Sequence, residues 1–225
     1  MAFKIVMFSD FICPFCYIGF DVIEKLKPEF DLQIEWRGFQ IHPEWPAEGA
    51  SAAQASRLGN ADARKAAWER ISTMAESVGL AMKPPSVLTN SRLALAAAEF
   101  ARDSGADHEA FEERVYRAYF TEDANIGDRE VVLRLAAEAG LDAAQVADAI
   151  KSPKYELRLK NNALTANQRG VSGVPTFFIG DYPLVGAQSP DVMRSILKRA
   201  KERFGGVETA QAAEDQSCEL KTKSL

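Results

Sequence analysis

The 225-residue sequence contains few of the residues that stabilise small secreted proteins or hold structural metals. It has three cysteines and two histidines. Three cysteines are too few for a disulfide scaffold in a chain of this length. A structural zinc site needs four ligands, and only Cys13 and Cys16 lie close together along the chain. We therefore expect no metal and no prosthetic group.

The sequence also lacks a basic surplus and a long apolar run. Lys and Arg total 27 against 32 Asp and Glu, so the formal net charge is −5 and we expect no nucleic-acid partner. No stretch approaches the roughly 20 apolar residues of a transmembrane helix. Lys4 interrupts the first apolar segment, unlike the core of a signal peptide. We expect no membrane partner and, by default, a cytoplasmic location.

Apolar periodicity predicts an α/β unit at each end of the chain. Continuous or alternating apolar runs predict four strands, at residues 3–8, 32–39, 176–179 and 182–185. An apolar stripe after the first strand predicts a helix that Pro28 limits, and Ser189-Pro190 predicts the start of the last helix. The chain therefore opens β-α-β and closes β-β-α.

The region between these units, from about residue 52 to residue 168, shows helical patterns and no convincing strand. We predict one α/β domain made of residues 1–50 and 169–205, interrupted by a helical insertion of residues 51–168. Residues 206–225 are polar and without periodicity, which predicts a mobile tail. Cys218 in this tail is interpreted as an incidental free thiol.

The stretch SDFICPFCYIG, residues 9–19, places two cysteines at the start of the predicted first helix. Cα atoms three residues apart on a helix are about 5 Å apart, within the roughly 4.4–6.8 Å that a disulfide spans. The helix N-terminus favours the thiolate of Cys13, as in other Cys-X-X-Cys motifs. We predict that Cys13 attacks a disulfide and that Cys16 resolves the mixed disulfide. Three alternatives remain: inert core cysteines, a zinc site, and a catalytic pair of Cys13 with His42.

Several neighbouring residues have both a functional and a structural interpretation. Asp10 is a candidate proton relay for the thiols or a plain turn or N-cap residue. Trp45 either lines a substrate groove or packs in a loop. Pro14 and Phe15, between the two cysteines, are candidate substrate contacts. Pro175 in isolation is a strand-entry proline, since only about 5–6% of X–Pro bonds are cis.

Taken together, SDFICPFCYIG, the helical insertion and GVSGVPTFFI (residues 170–179) resemble the DsbA-like branch of the thioredoxin superfamily. Within that branch the chain is most similar to the FrnE-type oxidoreductases. Four further stretches carry the similarity: WRGFQIHPE (36–44), YFTEDANIGD (119–128), LAAEAGLD (135–142) and VGAQSPDV (185–192). The resemblance covers residues 3–203.

This resemblance implies a thioredoxin-like fold with a helical insertion and a thiol-disulfide oxidoreductase or disulfide isomerase. It makes Cys13 the nucleophile, Cys16 the resolving thiol and the Val174–Pro175 bond cis, with the Val174 backbone free to pair with an extended substrate. The implied partners are protein or small-molecule thiols and disulfides, with glutathione as a potential co-substrate. The oligomeric state is open, and a homodimer is compatible.

The same branch includes glutathione-dependent isomerases of 2-hydroxychromene-2-carboxylate and kappa-class glutathione transferases. Those enzymes resemble this chain but have serine in place of the first cysteine, where this chain has Cys13. A glutathione-dependent isomerase or transferase is therefore the first alternative function. A non-catalytic binding module that docks through the helical block is the second.

Overall fold

In the described part of the chain, the main sheet has four strands and two further short strands form a separate pair. The computed structural model describes residues 3–46, 48–51 and 61–204. The strands in this part of the chain are β1 (Phe3–Ser9), β2 (Leu32–Gly38), β3 (Ala50–Ser51), β4 (Val87–Leu88), β5 (Thr176–Ile179) and β6 (Tyr182–Val185).

Helices flank the sheet and make up most of the segment between β4 and β5. In the same described residues they are α1 (Pro14–Phe30), α2 (Ala61–Ser77), α3 (Arg92–Ser104), α4 (His108–Phe120), α5 (Arg129–Glu138), α6 (Ala143–Ala149), α7 (Pro153–Gln168) and α8 (Pro190–Phe204). Within residues 3–46, 48–51 and 61–204, no helix is both long enough and apolar enough to cross a bilayer.

Strand β1 is paired on both sides. It runs parallel to β2, from Phe3 opposite Leu32 to Ser9 opposite Gly38. It runs antiparallel to β5, and β5 pairs antiparallel with β6. Helix α1 provides the crossover that a parallel pair requires. Pro183 lies in β6, the last strand of the sheet, where a missing backbone N–H is tolerated.

Both faces of β1 are covered, which explains its nearly continuous apolar sequence. Ile5 and Met7 are fully buried in the main core, together with residues of α1 and α8. Phe8 lies in a second core on the other face, where its ring meets that of Phe178 edge-on at a centroid distance of 5.9 Å. The carboxyl end of β1 is therefore enclosed on both sides, and the chain leaves it directly into the cysteine motif.

The mixed α/β topology and the four strands of the main sheet confirm the predictions from apolar periodicity. The predicted absence of strands between residues 52 and 168 is wrong in one place, because β4 pairs with β3. Two residues are too short to produce a readable alternation of apolar side chains. The predicted domain boundaries at residues 50 and 168 stay a prediction. The predicted tail, residues 206–225 with Cys218, lies outside the described residues.

The prediction that Pro28 limits the first helix is also wrong, because α1 continues through it to Phe30. A proline near a helix end removes a single backbone hydrogen bond. The following turn is held by tertiary contacts: Phe30 is buried, and Lys201 Nζ donates to the Phe30 carbonyl over 3.0 Å. The helix ends at Asp31, whose φ of 53° places it in the left-handed region.

Candidate active site

Cys13 is the N-cap residue of α1. Its backbone is extended (φ −90°, ψ 116°), and Pro14 occupies the first helical position, where a missing N–H removes no hydrogen bond. The carbonyl of Cys13 accepts from Cys16 N–H over 3.0 Å and so starts the helix. The sulfur of Cys13 lies beside the N–H groups of Phe15 and Cys16 in the first turn. This position stabilises a thiolate.

The two cysteine sulfurs have opposite electrostatic environments. Both cysteines are reduced and buried, with Cys13 6% exposed and Cys16 fully enclosed. A hydrogen bond from the Cys16 thiol lowers the pKa of Cys13, and the helix N–H groups lower it further, while burial opposes them. Burial raises the pKa of Cys16 well above its usual value, and the neighbouring Cys13 raises it further. The pair therefore has one activated sulfur near the surface and one protonated sulfur beneath it.

The loop before β5 closes the site from the opposite side. The Cys13 thiol donates to the carbonyl oxygen of Val174 over 3.4 Å, and the Val174–Pro175 peptide bond is cis. The Pro175 ring packs against α1 at Gly19, where an added Cβ would lie 3.2 Å from Pro175 Cγ and 3.1 Å from Phe177 Cζ. Gly19 therefore allows the loop to approach the cysteine helix closely.

Asp10 is a fully buried carboxyl between β1 and the cysteines. Its Oδ2 accepts from Ile41 N–H over 2.7 Å and its Oδ1 from Ile12 N–H over 3.4 Å. The buried hydroxyl of Ser91 lies beside the carboxylate and can rotate to donate to it. Burial nevertheless dominates and raises the pKa of Asp10 to about 6. The charged form of Asp10 in turn raises the pKa of Cys13.

The helical segment contributes to the floor of the site. The hydroxyls of Ser9 and Tyr116, from β1 and α4, lie 2.5 Å apart. The Ser9 hydroxyl also lies beside Cys16 and lowers the pKa of its thiol. The Tyr116 ring stacks on Tyr17 at a centroid distance of 5.1 Å and meets Phe11 edge-on at 4.9 Å. Cys16 therefore rests on a layer that joins β1, α1 and α4.

The loop after β2 reaches the site through Asp10. His42 and Trp45 stack face to face, with ring centroids 4.0 Å apart. Asn90 fixes this loop by donating to the Trp45 carbonyl over 2.7 Å. His42 lowers the pKa of Asp10, while Trp45 packs partly buried against the main core. The packing interpretation of Trp45 is thus the one that its contacts support.

The structure brings together the residues that the sequence singled out and adds others. The predicted set at the thiols consists of Cys13, Cys16, Val174, Pro175 and Asp10. Phe15, 40% exposed, projects into solvent beside the motif, and Pro14 is half-buried. Sequence reasoning missed Gly19, Ser9, Ser91 and Tyr116. Ser9 and Gly19 could have been found from their position within the stretch of residues 9–19. Ser91 and Tyr116 could not, because they come from distant segments of the chain.

A sheet flanked by helices, a Cys-X-X-Cys helix start and an opposing proline loop define a thioredoxin-type site. The chain matches the family model described as the DSBA-like thioredoxin domain over residues 4–198. It therefore belongs to the DSBA-like thioredoxin domain family.

Individual relatives agree with this assignment. The chain is 30% identical to the uncharacterized protein YwbO of Bacillus subtilis strain 168, over 90% of this chain and all of the relative. A crystal structure of a probable DsbA oxidoreductase from Streptomyces coelicolor superposes with a TM-score of 0.79 at 26% identity, covering 91% of both chains.

Two more distant structures share the fold. The structure of a 2-hydroxychromene-2-carboxylate isomerase has a TM-score of 0.71 at 19% identity, over 91% of this chain and all of that one. The cytosolic disulfide reductase DsbM of Pseudomonas aeruginosa with GSH has a TM-score of 0.66 at 18% identity, over 87% of this chain and 98% of that one. At these identities the two structures show a common fold.

Proposed function

We propose that this protein is a thiol-disulfide oxidoreductase that acts on protein or small-molecule disulfides through Cys13 and Cys16. The observation that carries the proposal is the unequal pair: a Cys13 sulfur with a lowered pKa at a helix N-terminus, hydrogen-bonded by the enclosed thiol of Cys16. The thiolate is the attacking form in disulfide exchange, so the more accessible sulfur is also the better nucleophile.

In the reducing direction the Cys13 thiolate attacks one sulfur of the substrate disulfide. A Cys13–substrate disulfide forms and the other substrate sulfur leaves as a thiolate. Cys16 then loses its proton and attacks Cys13, which releases the second substrate sulfur and leaves a Cys13–Cys16 disulfide. Two electrons pass from the cysteine pair to the substrate. In the oxidising direction the same steps run backwards.

The carbonyl of Val174, 3.4 Å from the Cys13 sulfur, lies where an extended substrate segment would pass. We propose that such a segment pairs with the Val174 backbone as an added strand. Phe15 and Pro14 would flank the segment from the cysteine side. Asp10, with a pKa of about 6, is suited to exchange protons with the Cys13 side of the site near neutral pH.

We propose glutathione as a thiol that returns the Cys13–Cys16 disulfide to its reduced form. The reductase with GSH provides a fold-level precedent for this partner. The same protein is described as cytosolic, and a reducing cytoplasm is the compartment in which glutathione keeps such a pair as thiols. Mixed disulfides between glutathione and proteins are then natural substrates.

The proposal is tested by insulin reduction with dithiothreitol as electron donor. The wild type should accelerate precipitation of the insulin B chain, and Cys13→Ser should abolish the acceleration. The matched control is Cys218→Ser, which also removes one thiol and should retain the wild-type rate. Equal rates for the wild type and Cys13→Ser would contradict the proposal and favour a non-catalytic binding module.

A second measurement determines whether the protein reduces or oxidises its substrates. The Cys13–Cys16 pair is equilibrated against glutathione at known ratios and the oxidised fraction is read by alkylation. A potential near about −270 mV corresponds to a thioredoxin-like reductant, and one near about −120 mV to a DsbA-like oxidant. Isomerisation of an aromatic acid with glutathione that survives Cys16→Ala would instead indicate the isomerase or transferase.

A further inference from the structure

A pair of hydrogen-bonded hydroxyls lies beside Cys16. They belong to Ser9 and Tyr116 and are 2.5 Å apart, and the Ser9 hydroxyl lowers the pKa of Cys16. Tyr116 is fully buried and lies one helical turn beyond Glu112 on α4. A hydroxyl can donate and accept at once, so two hydroxyls in series can pass a proton along.

A small cavity lies beside the two hydroxyls. Its volume is about 20 Å³, and Ser9, Tyr116, Glu112, Trp36 and Arg102 are among the residues that line it. A space of this size holds about one water molecule. The cavity therefore provides room for one bridging water between the tyrosine hydroxyl and the next polar group.

Two buried polar atoms at this cavity have no hydrogen-bond partner. They are Nε1 of Trp36 and Oε1 of Glu112, whose side chains are only 4% and 3% exposed. Oε1 lies 3.5 Å from Arg102 Nη1 and 3.7 Å from His108 Nδ1, both longer than a well-formed hydrogen bond. A buried donor and a buried acceptor on two residues that line one small cavity are suitable partners for a single water.

Glu112 also connects the cavity to the surface. His108 lies one turn before it on α4 and is about one-quarter exposed in its side chain. The charged groups around Glu112 also include Arg102 of α3, Glu109 of α4, Glu24 of α1 and, across the cavity, Arg37 of β2. His108 therefore lies between the buried carboxyl of Glu112 and solvent.

We infer that Ser9, Tyr116, one water in this cavity and Glu112 form a relay that removes the proton of Cys16 when it resolves the mixed disulfide. The inference rests on the proposed oxidoreductase function and assigns positioning residues for its second step. Before that step Cys13 is bonded to the substrate, so the Cys16 thiol no longer donates to a Cys13 thiolate. It donates to Ser9 instead, and each hydroxyl passes its own proton on.

The step is balanced in protons and electrons. Cys16 gives up its thiol proton and Glu112 takes up one proton, while the Cys16 sulfur bonds to Cys13 and the substrate sulfur leaves with the bonding pair. Burial raises the pKa of Glu112, which makes its carboxylate a better proton acceptor than an exposed one. Arg102 and His108 oppose that rise.

The test separates the two sulfur reactions by their kinetics. Dithiobis(nitrobenzoate) reacts with Cys13 and releases one coloured thiolate, and attack by Cys16 then releases a second. Single-turnover mixing in a Cys218→Ser background follows both phases. In Tyr116→Phe and Glu112→Gln the first phase should be unchanged. The second should slow by about 100-fold, at the lower edge of what proton transfer contributes to catalysis.

The matched control is Tyr119→Phe, which removes another buried hydroxyl from the same helix. The hydroxyl of Tyr119 donates to the Val87 carbonyl over 3.2 Å and is not part of the relay. This variant should retain the wild-type second phase. A further readout needs no variant: the wild-type second phase should be slower in heavy water than in light water, and Tyr116→Phe should change its pH profile.

Each outcome decides between the two proposals. If the wild type releases two equivalents and both relay variants match Tyr119→Phe in rate and pH profile, the Ser9–Tyr116 contact is purely structural and the relay is overturned. If only Tyr116→Phe is slow, Glu112 is not the acceptor, and the relay is likewise overturned. If the wild type releases a single equivalent, the proposed function itself fails, together with the relay.

Discussion

The thiol of Cys16 donates a hydrogen bond to the sulfur of Cys13, and this contact is the largest influence that lowers the pKa of Cys13. The resolving cysteine thus activates the attacking one before any substrate arrives. Because the backbone N–H groups of α1 make the same kind of contact, the two effects can be separated only by changing the Cys16 side chain.

Replacement of Cys16 by alanine should raise the pKa of Cys13, because the main donor to its thiolate is lost while the helix N–H groups remain. Cys16→Ser, which keeps a donor at the same place, should give an intermediate value. The pH dependence of alkylation of Cys13 by iodoacetamide measures this, in a Cys218→Ser background. An unchanged midpoint in Cys16→Ala would show that the helix terminus alone activates Cys13.

The buried carboxyl of Asp10 should make folding less favourable as pH rises. Its pKa rises from 3.8 to about 6 on folding, so the folded state holds the proton more tightly than the unfolded chain. Stability from this group is therefore greatest below pH 4 and is lost between about pH 4 and 6, by about 3 kcal/mol. Asp10→Asn should remove this loss, and urea unfolding at a series of pH values measures the difference from the wild type.

The control is a carboxyl whose contribution to the free energy of unfolding changes with pH in the opposite direction. Asp142 is an exposed N-cap of α6 whose pKa is lowered, chiefly by the N–H of Gln145 and then of Ala144. Its contribution to stability is present above its ordinary pKa and is lost as pH falls. The Asp10→Asn and Asp142→Asn curves should therefore diverge from the wild type in opposite directions. Parallel curves would contradict the assignment of a raised pKa to Asp10.

The parts of the fold that sequence could predict are those encoded by neighbouring residues. The apolar run of β1, the β5–β6 pair and the spacing of Cys13 and Cys16 are all readable within about ten residues. The environment of Asp10 is not, because Ile41 and Ser91 reach its carboxyl from other segments. A local pattern contains no information about which distant side chain will cover a given group.

The same limit explains why the sequence did not predict the residues beneath Cys16. Ser9 and Tyr116 are 107 residues apart, and their contact depends on how α4 packs beneath β1. The error at Pro28 has a related cause, since the burial of Phe30 outweighs the local preference of proline to end a helix. In each case tertiary packing decides what the local sequence leaves undetermined.

Phe15 should contribute to the binding of peptide substrates without contributing much to stability. It is 40% exposed beside Cys16, on the rim of the site. Covering the remaining apolar surface by a substrate is worth about 1 kcal/mol, so Phe15→Ala should lower kcat/KM for insulin reduction about 5-fold. Leu157→Ala on α7, where the side chain is 59% exposed, is the matched control and should leave kcat/KM unchanged. Equal losses in both variants would point to a general effect on folding.

The close packing of Pro175 on α1 makes Gly19 a sensitive position. An alanine Cβ there would meet Pro175 Cγ at 3.2 Å and Phe177 Cζ at 3.1 Å, distances that force these rings to move. Such overpacking destabilises by about 1–3 kcal/mol, against a gain of at most about 1 kcal/mol from replacing glycine in a helix. Gly19→Ala should therefore lower stability and, by displacing Val174 from Cys13, lower the rate of insulin reduction.

Gly173 offers the matched control, because it lies in the same loop and an added Cβ there meets nothing within 4 Å. Its carbonyl, which accepts from Thr176 Oγ1 over 2.6 Å, is unaffected by a methyl group. Gly173→Ala should thus retain the wild-type stability and insulin-reduction rate. If Gly19→Ala and Gly173→Ala lose activity equally, the loop tolerates no substitution at all. The contact between Pro175 and α1 would then not be what positions Val174 beside the reactive sulfur.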